Sequence, residues 1–111
     1  MDSEIKATNG QTLYKFNGTE IKEPNGKTIF KITSSEIKAP NGSTLYKFTG
    51  DEIKSTNGSS IYKYTGSEIK ETNGRTIFKY STTDLKKTNG QTLFKFTGRI
   101  PVPVLFALGL I

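Results

Sequence analysis

Two columns of ionisable side chains recur every sixteen residues and are the first candidates for chemistry. Carboxylates stand at Glu4, Glu20, Glu36, Glu52, Glu68 and Asp84, and lysines follow two residues later at Lys6, Lys22, Lys38, Lys54, Lys70 and Lys86. Paired carboxylates can work as acid and base only where their surroundings push their pKa values apart. Here every copy offers the same neighbours, so no pair is singled out. The chain has no histidine and no cysteine, which removes the commonest general base, the commonest metal ligand and any thiolate nucleophile. The carboxylates are not clustered at the spacing of a calcium loop, and no glycine-rich run opens a helix as a phosphate loop would. No catalytic residue, metal site or cofactor is expected, and the chain reads as non-enzymatic.

The elements that would position these columns come from one sentence repeated. "SEIKATNGQTLYKFNG" begins at Ser3, and six such copies run without a gap to Gly98. Residues 1–98 therefore read as a β-repeat array and residues 99–111 as a separate apolar tail. Each copy holds two runs of strand character, a short "EIK" and a longer "TLYKF" rich in β-branched and aromatic types. Between them lies an Asn-Gly turn, present in all six copies at Asn9, Asn25, Asn41, Asn57, Asn73 and Asn89. Pro24 and Pro40 stand before the Asn, where a type I turn favours proline, and the following Gly takes the positive φ. The second turn, "FNGT" or "FTGS", loses its glycine in copies two and five.

The fold class is all-β. Two architectures fit the repeat: a short β-solenoid with one coil per copy, and an antiparallel meander of β-hairpins. Register favours the first. A three-residue loop at Thr8-Asn9-Gly10 would pair Ile5 with Leu13, and a two-residue loop at Asn17-Gly18 would pair Tyr14 with Ile21. Leu13 and Tyr14 point to opposite faces, so the isoleucine column would have to face both ways. A meander escapes only with a bulge in every copy or by giving up Phe16 to the turn. In a solenoid identical residues stack on themselves, and an unbroken asparagine column suits such a ladder. The solenoid is the expected fold and the meander the alternative.

Eleven of the twelve aromatic residues fall in two columns, headed by Tyr14 and Phe16. They share one face of the longer strand and are read as core, packed on Ile5, Ile21, Ile37, Ile53, Ile69 and Leu85. That leaves a third apolar column outside: Leu13, Ile29, Leu45, Ile61, Ile77 and Leu93. Strands apolar on both faces usually lie between two layers, and another copy of the chain is the economical second layer. The tail "IPVPVLFALGLI" is too short for a membrane-spanning helix, which needs about 20 residues, and Pro101 and Pro103 oppose a helical start. It can fold back as a cap, reach a neighbouring subunit or touch a membrane interface.

These features point to a structural protein that self-assembles into a filament or fibre. Its lateral contact would be the Leu13 column, or the aromatic columns were they outside, and its end contact Ile100, Val102, Val104, Leu105, Phe106, Leu108, Leu110 and Ile111. The partner expected first is the chain itself. The alternative is a polymer-binding module, for nucleic acid or glycan, using aromatic and lysine columns. A second lysine column runs Lys15, Lys31, Lys47, Lys63, Lys79 and Lys95, and the net charge of +6 is spread through interleaved lysines and glutamates without a single-sign block. The opening "MDSEIKATNG" lacks a basic and an apolar region, so the cytoplasm is the default location, or a fibre outside the cell if export is nonstandard.

Overall fold

The computed structural model describes residues 3–111. The array forms twelve strands, two per copy: β1 Ser3–Lys6, β2 Thr12–Phe16, β3 Glu20–Lys22, β4 Thr28–Ile32, β5 Glu36–Lys38, β6 Thr44–Phe48, β7 Glu52–Lys54, β8 Ser60–Tyr64, β9 Glu68–Glu71, β10 Thr76–Tyr80, β11 Asp84–Lys87 and β12 Thr92–Thr97. Each strand pairs antiparallel with its neighbours in sequence, and β1 pairs with β12, so the meander closes into a barrel. The expected solenoid is therefore corrected to the alternative, a hairpin meander, in closed form.

The register conflict that favoured a solenoid is resolved by a bulge in every copy. Ile5 faces Tyr14 while Lys6 faces Thr12, so Leu13 has no partner across the hairpin. The same shift recurs at Ile21, Ile37, Ile53, Ile69 and Leu85. On the other side of the long strand, Phe16 faces Ile21. Both expected pairings are thus displaced by one step or more, and the isoleucines meet Tyr14 and Phe16, which share a face. Bulges also sharpen local twist and bend the strand, which a closed ring of short strands needs.

Closure follows from the repeat itself. Ile5 faces Phe96 and Lys6 faces Lys95, the register that joins Phe16 to Ile21 and Lys15 to Lys22. The first copy therefore docks on the sixth as each copy docks on the next. Among the described residues no strand edge is left open, which removes the usual template for edge-to-edge pairing.

The Asn-Gly turns have the geometry the sequence implies. In the fourth copy Gly58 N–H donates to the Ser55 carbonyl at 2.9 Å, with φ of 95° at Gly58. Asn57 does not stack on its counterparts. Its Oδ1 accepts from the Ser59 N–H at 3.1 Å within its own turn, and the other five asparagines do the same. Gly58→Ala is expected to cost about 1–2 kcal/mol, since a Cβ meets the following carbonyl at positive φ. A urea titration of the variant checks this.

The core lines the inside of the barrel. Ile5, Ile21, Ile37, Ile53, Ile69 and Leu85 are at most 1% exposed, and Phe16, Ile32 and Phe96 are also buried. Most of the other aromatics of the two columns pack against them. The whole molecule is a short ring, 38 × 36 × 18 Å.

Candidate functional site

Two surfaces carry the features from which function can be argued: the plugged lumen with its rim, and the outer wall.

The tail leaves β12 through Gly98, whose φ is 69° and whose Cα lies against Ser3, leaving no room for a Cβ. It then enters the barrel. Ile100, Val102, Pro103, Val104 and Leu105 are buried, and Phe106, Ala107, Leu108, Leu110 and Ile111 are half-buried against the core. Helix α1, Val102–Ala107, forms inside. Six residues are far too few for a stable helix in water, and an all-apolar helix must be covered on every side. The lumen provides that cover. The two prolines do not prevent the start: Pro101 is the N-cap in extended conformation, and Pro103 lies in the first turn, where a missing N–H leaves nothing unpaired.

Contacts fix the direction of the plug. The Tyr80 hydroxyl donates to the Ile100 carbonyl at the rim where the tail enters. Deeper in, the Phe106 ring meets Tyr46 edge-on at 4.8 Å and Tyr62 at 5.7 Å. The residues expected to form an end contact are thus placed in the chain's own lumen, folded back as a plug.

At the rim, Tyr64 donates its hydroxyl hydrogen to the Thr49 carbonyl. Partial burial, then the Asp51 carboxylate and Tyr80, push its pKa up to about 12. Burial also raises Tyr80, partly opposed by the Arg99 cation. A phenol whose folded pKa is raised holds its proton more tightly folded than unfolded. Its contribution to stability is complete below pH 10 and is lost as pH rises through about 12. Absorbance titration of the phenolates is expected to show a late step that is diminished by one phenol in Tyr64→Phe.

The outer wall carries the charge. Glu4 faces Lys15 across the hairpin, and Lys15 faces Lys22 across the next seam. The same arrangement runs round the barrel, giving six directly opposed lysine pairs: Lys15 with Lys22, Lys31 with Lys38, Lys47 with Lys54, Lys63 with Lys70, Lys79 with Lys86 and Lys95 with Lys6. The lysines after the carboxylates are ion-paired within their strands, at 3.4–4.0 Å. Among the described residues, Lys15, Lys31, Lys47, Lys63, Lys79 and Lys95 have no ion pair. This belt holds twelve lysines and six carboxylates, while the other four cations and four anions of the chain cancel. The net charge of +6 is therefore the charge of the belt.

The third apolar column sits at the bulges beside this belt. Leu13, Ile29, Ile61, Ile77 and Leu93 are half-buried, and Leu45 is 37% exposed. Ile29, Ile77 and Leu93 touch the core. The wall therefore shows no continuous apolar stripe of fully exposed side chains.

Sequence reasoning placed the aromatic columns inside and found both lysine columns. It missed that the two lysine columns face each other, because that pairing depends on where the second turn closes. No protein-family model, curated protein or solved structure matches this chain. The fold and the site together define a plugged, closed β-barrel with a cationic girdle.

Proposed function

We propose that this protein is a non-enzymatic module that binds a flexible linear polyanion on its outer belt, with single-stranded nucleic acid as the ligand. One observation carries the reading: six pairs of lysines stand directly opposite each other across adjacent strands. Like charges in that position oppose pairing, and the i,i+2 ion pairs on an exposed wall offset little. A run of phosphates between the paired lysines would turn the repulsion into attraction.

Geometry favours a flexible strand over a duplex. Lysines of one column recur every second strand, roughly 10 Å apart round the ring. A single strand can follow that curve, whereas duplex DNA, stiff over about 150 base pairs, would touch only an arc. The aromatic columns face the lumen, so stacking contributes nothing and binding would be independent of sequence.

Self-assembly has less support from this geometry. The strand edges are paired, the apolar column is half-buried, and the tail lies in its own barrel. Membrane insertion has less still, since the strands are 3 to 6 residues long and a membrane-crossing strand needs about 9–11. The test is a salt titration of binding to a labelled oligothymidylate, with heparin as a competitor and sizing of the free protein. Steep loss of affinity with salt is expected. Tighter binding to heparin would reassign the polymer to a glycan, and filaments that ignore the oligonucleotide would restore the assembly reading.

A further inference from the structure

A single helix cannot fill a six-fold ring evenly. The tail leans towards Tyr46 and Tyr62 through Phe106, and two cavities remain beside it at the rim where it enters. Their volumes are about 510 and 380 Å³, and both are lined by Ser34, Phe48, Arg99 and Pro101. They form one crevice divided by the incoming tail, in the size range of small-molecule sites.

The two compartments differ in charge. The larger one has Asp51 on its wall as well as Arg99, whereas the smaller, among the described residues, has Arg99 as its one charged group and adds Phe16 and Ile32. Among the described residues, Arg99 makes no ion pair and no side-chain hydrogen bond, so its guanidinium is free to receive an anion at the mouth of an apolar slot. A planar guanidinium fork matches a carboxylate in two parallel hydrogen bonds. Asp51 repels an anion from the larger compartment and so directs the head group.

We propose that the smaller compartment binds a small amphipathic carboxylate, with its apolar chain against Phe16, Ile32, Phe48 and Pro101 and its head group on Arg99 beside Ser34. The tail is then more than a plug: it supplies Arg99 and Pro101, one for the head group and one for the chain. The site is separate from the lysine belt and does not depend on polyanion binding.

Calorimetric titration of the full chain with decanoate, below its micelle concentration, tests the assignment. One saturable site is expected. Arg99→Gln should weaken decanoate about tenfold, the loss of a charge-assisted hydrogen bond. Decanol should bind more weakly and be indifferent to that change. The triple variant Lys47→Gln, Lys63→Gln, Lys79→Gln should bind decanoate like the parent. The proposal is overturned if decanoate does not saturate, if Arg99→Gln binds it as tightly as the parent, or if the belt variant loses it.

Discussion

A chain ending at Gly98 is expected to lose cooperative folding. The deletion removes Ile100, Val102, Val104 and Leu105, each at most 2% exposed. Burying an aliphatic side chain of this kind stabilises by about 1.5–3 kcal/mol, so the four together contribute on the order of 6–12 kcal/mol, as an upper estimate. That is comparable with the roughly 5–15 kcal/mol that holds a whole domain folded. The loss also leaves Ile5, Ile21, Ile37, Ile53, Ile69 and Leu85 facing an empty lumen. Urea unfolding followed by circular dichroism should show a broad, early transition or none. Leu105→Ala, which keeps the plug, should fold and lose about 2–5 kcal/mol. Adding a peptide of residues 99–111 to the truncated chain should restore the sharp transition. A truncated chain that unfolds at the parent's midpoint would show that the ring holds itself and that the tail only occupies it.

The second large effect is expected on the outer wall. If the six lysines without ion pairs each neutralise one phosphate of a single strand, the logarithm of affinity should fall against the logarithm of salt with a slope of about −4. Between 50 and 200 mM salt that is a loss of two to three orders of magnitude, on the order of 300-fold. The triple variant Lys47→Gln, Lys63→Gln, Lys79→Gln should halve the slope to about −2 and weaken binding at low salt. Its folding should change little, because each change removes a like-charge opposition with Lys54, Lys70 or Lys86 and, with it, an opposite-charge one with Glu36, Glu52 or Glu68. A slope unchanged in the variant would place the phosphates elsewhere. Affinity that ignores salt would remove the polyanion reading altogether.

These two expectations draw on different levels of the molecule. The buried face could be read from residue types alone: an isoleucine at the centre of every "EIK" and aromatics two apart in every "TLYKF" belong together, whatever the fold. The Asn-Gly turns were equally legible, since Pro24 and Pro40 mark one turn position and the glycine two residues later another, and the local hydrogen bond needs nothing from the rest of the chain. Chemistry was bounded in the same way, by the absence of histidine and cysteine.

What the residues alone left open was register. One unpaired residue per hairpin, Leu13 and its five counterparts, changes which face every side chain takes, and a single-sequence pattern with period two cannot place it. The choice between solenoid and meander rested on that residue, because the bulge removes the conflict that spoke against hairpins. The opposition of Lys15 to Lys22 follows instead from the second turn, which leaves four residues between Phe16 and Ile21 where a two-residue loop was expected, and the belt follows from that opposition. The short helix is the clearest case of tertiary control. Val102 to Ala107, with prolines at its start, has no reason to be helical in water, and it becomes so only because twelve strands close round it and leave its backbone no other partner. Repetition determined the strands, the turns and the apolar face, whereas closure decided that the tail lies inside and that the charge forms a ring.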